Sequence, residues 1–230
     1  MDIFTGKKSA GIGYSLCFCL FVLLSFIGQT ILRSIFSENS FAYTFGCSFF
    51  SILSFLLVTL FFSLKRKEKY SLTVSFKKFN PVFIVFSLLI LFGMYFGLGL
   101  INDIVSDFFE KIGLHVLNTN VKIDNQKEYI CYVVSLAILP AIFEEFFFRG
   151  FMLSSMKSVS PIKGIIFVSL CFALYHGNVS QLIYQFIFGF FLGALAYSSK
   201  SVIPSIIAHF LNNFIILSIL LYASFPFYSS

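Results

Sequence analysis

Six consecutive residues, Glu144-Glu145-Phe146-Phe147-Phe148-Arg149, set two carboxylates and a guanidinium inside an apolar run from Tyr129 to Leu153. Each ionised side chain at the centre of a membrane helix costs about 2.5–3.5 kcal/mol on insertion scales, so simple anchoring does not account for three of them. Glu145 and Arg149 are four residues apart, share a helix face and can pair. Glu144 lies about 100° further round the helix and has no sequence-local partner. A carboxylate held in that way can take a proton from a water or pass one along a relay.

Two later apolar runs carry further polar groups. Phe172-Ala173-Leu174-Tyr175-His176 puts an imidazole at the end of one, and His209-Phe210-Leu211-Asn212-Asn213 puts His209 and Asn213 on one face of another. At ~1.5 Å per helical residue, Glu144, His176, His209 and Asn213 all lie about 10–20 Å from the same membrane face. Taken singly, each has a bland reading: a histidine satisfied in a helix bundle, an asparagine as interhelical glue, Glu145 and Arg149 as a structural pair. Their agreement in depth, and the free Glu144, favour a shared site. A glutamate and two histidines could also ligate zinc or another divalent metal with a position left for water. However, the chain has no His-Glu-x-x-His pair, and asparagine is a poor zinc ligand. The reading adopted assigns no metal and no cofactor.

The elements that must position these groups are membrane helices. Of the 230 residues, 58% are hydrophobic and 11% charged, against about a quarter charged in a soluble domain. Apolar runs of about 20 residues recur, and the alternating ~10-residue pattern of a β-barrel does not. The expected fold is all-α, a polytopic bundle with spans near Gly11–Ile35, Phe41–Leu64, Pro81–Ile101, Tyr129–Leu153, Gly164–Tyr175, Gln181–Tyr197 and Val202–Ala223. Lys7 and Lys8 precede a first run longer than a signal peptide's, so that run reads as a retained span. We divide the single membrane domain, 1–230, into three amino-terminal spans (1–101), an outer interfacial segment (102–128) and a core of catalytic spans (129–225). In the interfacial segment Ile101, Ile104, Val105, Phe108, Phe109 and Ile112 make one helical stripe, and Asp103, Asp107, Glu110 and Lys111 take the opposite face. The Gly93/Gly97 and Gly189/Gly193 pairs are expected to let helices approach closely. The five cysteines show no metal or redox spacing and read as small apolar fillers.

A net charge of +6 could suggest nucleic acid, but the basic residues cluster in short loops beside the spans, and no nucleic-acid role is assigned. Eleven of them (Lys7, Lys8, Lys65, Arg66, Lys67, Lys69, Lys77, Lys78, Lys157, Lys163 and Lys200) fall on one side of the alternating topology. Arg33, Lys111, Lys122 and Lys127 fall on the other. That asymmetry puts the amino terminus in the cytoplasm and the carboxy terminus outside a cell membrane.

Glu-Glu-x-x-x-Arg, then Phe-x-x-x-His, then His-x-x-x-Asn, in that order on successive spans, resembles the CPBP family of intramembrane CAAX prenyl endopeptidases and bacteriocin-processing enzymes, also called the Abi family. The resemblance covers about Tyr129 to Ala223, shows no departure at the motif positions, and leaves the first three spans without a family signal. It implies a hydrolase, a protease that cuts a membrane-associated, lipidated or bacteriocin-type peptide, with peptide or protein substrate and the lipid bilayer as partners. It implies that Glu144 and His176 activate water, that His209 and Asn213 stabilise the oxyanion, and that Glu145 and Arg149 orient the site from behind. The oligomeric state is left open. The alternative is a non-catalytic immunity or binding protein that sequesters a peptide or toxin. A proton-coupled transporter is disfavoured, because no broken-helix or inverted-repeat pattern occurs.

Overall fold

In the computed structural model, residues 6–38, 40–65, 78–113, 126–156 and 158–224 are described; for 98–103 and 220–224 the description covers the backbone alone. Every described element is helical: α1 (Gly6–Ile35), α2 (Phe41–Lys65), α3 (Val82–Gly93), α4 (Gly99–Lys111), α5 (Gln126–Tyr132), α6 (Leu139–Glu145), α7 (Pro161–Tyr175), α8 (Leu182–Ser199) and α9 (Ile203–Ser224). Among the described residues, four helical stretches are long and apolar enough to cross a membrane: Gly6–Ile35, Phe41–Lys65, Gln126–Leu153 and Val179–Ser199. Val82–Gly97, Pro161–Tyr175 and Ile203–Ile219 are shorter apolar helices. The chain is a polytopic helical membrane protein, and each of the seven expected spans corresponds to one of these stretches. Most of the basic loop after α2, and residues 114–125 of the expected interfacial segment, lie outside the described residues.

The stretch that carries the acidic pair runs through the middle of the bundle. α6 touches α2 and α9, and the π-helical turn after it, Phe146–Leu153, touches α1, α2, α7 and α8. α1 with α2, and α7 with α8, pack around it as antiparallel hairpins. Lipid tails are as apolar as these side chains, so the bundle is held by close packing and buried polar contacts rather than by escape from water. Phenylalanine supplies much of that packing. Phe55 of α2 meets Phe147 and Phe148 at ring-centroid distances of 5.3 and 5.7 Å, and Phe62 meets Phe151 at 4.7 Å. Tilted and edge-on pairs of this kind contribute about 0.5–1.5 kcal/mol each beyond area burial.

Two departures from regular helix frame the site. Val133–Ile138 is π-helical and leads directly into Pro140 in the first turn of α6. Proline has no N–H to donate and its ring crowds the carbonyl four residues back, so a widened turn at that place is the expected relief. Phe146–Leu153 is also π-helical and carries Arg149.

The glycine pairs divide. A Cβ on Gly189 would stand 3.1 Å from Phe172 Cδ1 and 3.3 Å from Ser169 Cα, and one on Gly193 3.0 Å from Ile165 Cγ2, so this pair does let α8 lie close against α7. Gly93 and Gly97 face open space, with nothing within 4 Å of an added Cβ. The expectation of close packing there is corrected: α3 runs through a π-helical turn, Met94–Leu98, into α4, and its glycines serve no helix contact among the described residues. The close approaches of α1 are made instead at Gly13 against Phe151 and at Gly28 against Phe50 of α2.

Candidate active site

Glu145 and Arg149 form the buried base of the site. Arg149 Nη1 donates to Glu145 Oε1 at 2.6 Å, both side chains are fully shielded, and Arg149 Nη2 donates to the Gly189 carbonyl at 3.0 Å. The expected i,i+4 pair is therefore present, and its second fork tooth ties α8 to the central span. Arg149 Cζ also lies 4.6 Å from the centre of the Phe172 ring, a desolvated cation–π contact of about 2 kcal/mol.

His209 comes in from α9. Its Nδ1 donates to Glu145 Oε1 at 2.9 Å. A carboxylate can only accept, so that contact fixes the ring and leaves Nε2 facing away from Glu145. On that side Nε2 lies 3.9 Å from Glu144 Oε2, too far for a direct hydrogen bond. Glu144 Oε2 is buried with no hydrogen-bond partner among the described residues. The structure thus brings Glu144, Glu145, Arg149 and His209 into one polar cluster drawn from the central span and α9.

His176 reaches the cluster from the end of α7. Its Nδ1 donates to the Phe172 carbonyl at 2.8 Å, so this ring too presents Nε2 as its open nitrogen. Gly177, at φ +62°, ends α7 in the left-handed conformation that glycine adopts without penalty and fixes where His176 leaves the helix. Phe172 is the hub between the two imidazoles, with ring centroids 4.7 Å from His176 and 5.8 Å from His209. His176 has Glu144, His209 and Arg149 as its electrostatic neighbours. Asn213 stands one turn beyond His209 on α9, and its Oδ1 accepts from Asn212 Nδ2 at 3.4 Å.

Residues 126–215 match the family model described as Rce1-like, type II CAAX prenyl endopeptidase. This segment is similar to the Rce1-like CAAX proteases. The matched residues include Glu144, Glu145, Arg149, His176, His209 and Asn213, and α1–α4 lie outside them. No curated protein and no solved structure matches the chain. The Rce1-like segment lies within the 129–223 expected from the motifs at its carboxy-terminal end and begins three residues earlier at Gln126.

His209 spends Nδ1 on Glu145, and the described residues contain no group of three His, Cys, Asp or Glu side chains arranged to hold a metal ion. Sequence reasoning missed Phe172 as more than a motif letter, the Gly189 carbonyl as a ligand for Arg149, and Asn212. Two adjacent amides in an apolar helix were a signal for Asn212; the carbonyl of Gly189 leaves no trace in a side-chain pattern.

Proposed function

We propose that the chain is an intramembrane endopeptidase that hydrolyses a peptide bond in a membrane-associated, lipidated or bacteriocin-type peptide. The observation that carries this reading is the buried Glu144 Oε2, without a hydrogen-bond partner among the described residues and 3.9 Å from His209 Nε2. A water about 2.8 Å from the carboxylate sits in the ordinary hydrogen-bond range. Glu144 takes a proton from that water as it attacks the scissile carbonyl, and His176, through Nε2, holds the water in line. The carbonyl oxygen becomes an oxyanion. His209 as imidazolium, balanced by Glu145, and the Asn213 amide donate to it. Collapse of the tetrahedral intermediate breaks the C–N bond, and the proton taken by Glu144 goes to the leaving amine. Arg149 holds Glu145 against His209, so that the second carboxylate orients the ring without competing for the water.

Orientation is part of the proposal: the amino terminus is cytoplasmic, the carboxy terminus outside. The reading is tested with purified protein in detergent and a farnesylated CAAX peptide, the probe that the family match names. New carboxy termini are read by mass spectrometry. Wild type is expected to cut, and Glu144→Gln and His176→Ala are expected to lose about 10²–10⁴ in rate at unchanged melting temperature. Turnover by Glu144→Gln equal to wild type would reject the proposed mechanism.

A further inference from the structure

Asn213 is placed by a relay that starts on α8. Tyr184 Oη donates to Asn212 Oδ1 at 2.6 Å, and Asn212 Nδ2 donates to Asn213 Oδ1 at 3.4 Å. Asn212 is 4% exposed, and Tyr184 packs against the main core beside Phe188. With the phenol hydroxyl donating to the carbonyl oxygen of Asn212, that amide turns its nitrogen towards Asn213. Because Asn213 then accepts through Oδ1, its own nitrogen is left to donate. An asparagine amide can otherwise rotate by half a turn and present either atom, which would put a lone pair where a donor is needed.

We infer that Tyr184 and Asn212 are positioning residues that set the flip of the Asn213 amide so that its N–H faces the oxyanion. The inference rests on the hydrolytic reading above and on the role given to Asn213 there. It also supplies a reason why α8, which contributes no reacting group, is clamped to the site twice: at Gly189 by Arg149 and at Tyr184 by Asn212. A donor misplaced by about 1 Å can cost as much as 10²-fold in rate, so the orientation of this one amide has a measurable consequence.

The test uses the full chain in detergent, the farnesylated CAAX peptide and three variants. Tyr184→Phe keeps the ring and removes the hydroxyl. Asn212→Asp keeps the acceptor for Tyr184 and removes the donor to Asn213. Asn213→Ala removes the oxyanion donor itself and is expected to cost about 10²–10³ in kcat. Tyr184→Phe is expected to lower kcat by about tenfold or more with KM and melting temperature unchanged, and Asn212→Asp to lower kcat at least as far. Combined with Asn213→Ala, Tyr184→Phe is expected to have no further effect, since the group it orients is gone. A purely structural Tyr184 would lower the rate by the same factor in both backgrounds, and that result overturns the inference. Wild-type kcat in Tyr184→Phe and Asn212→Asp, with Asn213→Ala impaired, overturns the relay alone. Wild-type kcat in Asn213→Ala, or no cleavage by wild type, removes the hydrolytic role of Asn213 and the relay with it.

Discussion

Arg149 shows how one side chain can serve the fold and the chemistry together. It pairs with Glu145, meets the Gly189 carbonyl and lies against Phe172, all shielded from the outside. Removing one partner of a buried pair strands the other charge and costs about 3–5 kcal/mol. Arg149→Met is therefore expected to lower unfolding stability in detergent by about that much, read by thermal or SDS denaturation. Arg149→Lys is expected to recover little, because an ammonium lacks the fork that reaches a carboxylate and a carbonyl at once. Glu145→Gln added to Arg149→Met should restore part of the loss by removing the stranded charge; a double variant no more stable than Arg149→Met would refute this. The pair itself was legible from i,i+4 spacing. Its third partner was not, since a backbone carbonyl on another helix has no signature in the sequence.

Between helices, the decisive contacts are where α7 meets α8 and where α7 ends. A Cβ on Gly189 would crowd Phe172 and Ser169 at 3.1–3.4 Å. Gly189→Leu is expected to cost about 1–3 kcal/mol by overpacking and to reduce turnover, because the displaced Phe172 carries the contacts to both imidazoles. Gly93→Ala, in open space, is the control, expected neutral or stabilising by up to about 1 kcal/mol in the same denaturation assay. Equal losses in the two would show that the α7–α8 approach is not what Gly189 provides. At the other place, a left-handed residue with a side chain costs about 1–2 kcal/mol, so Gly177→Ala should both destabilise the protein and impair cleavage, the latter through His176. The Gly-x-x-x-Gly pattern foretold the Gly189/Gly193 contact and misled at Gly93/Gly97, because spacing says that a helix can be approached and not that another helix is there. Apolar length was enough to find all seven apolar helical stretches, four of them long enough to cross a membrane. Their π-helical turns were not found, since those depend on how backbone carbonyls near Pro140 are relieved in three dimensions.

Across the whole molecule, the family match and the polar cluster coincide, while α1–α4 form a surround without family signal. The surround still shapes the site: α2 delivers Phe55 against Phe147, Phe148 and Tyr175, and α1 packs through Gly13 against Phe151. The proposed membrane orientation rests on the eleven basic residues on one side against four on the other. Cysteine-accessibility labelling should find position 67 reactive from the cytoplasm and position 122 from outside; the reverse pattern would invert the topology. The most direct test of Glu144-driven hydrolysis compares membrane peptides, by mass spectrometry, from cells producing the wild-type chain and cells producing Glu144→Gln at equal abundance. The account predicts a set of new carboxy termini with the wild type that vanishes with Glu144→Gln. The same cleaved peptides in both, or none in either, would contradict it.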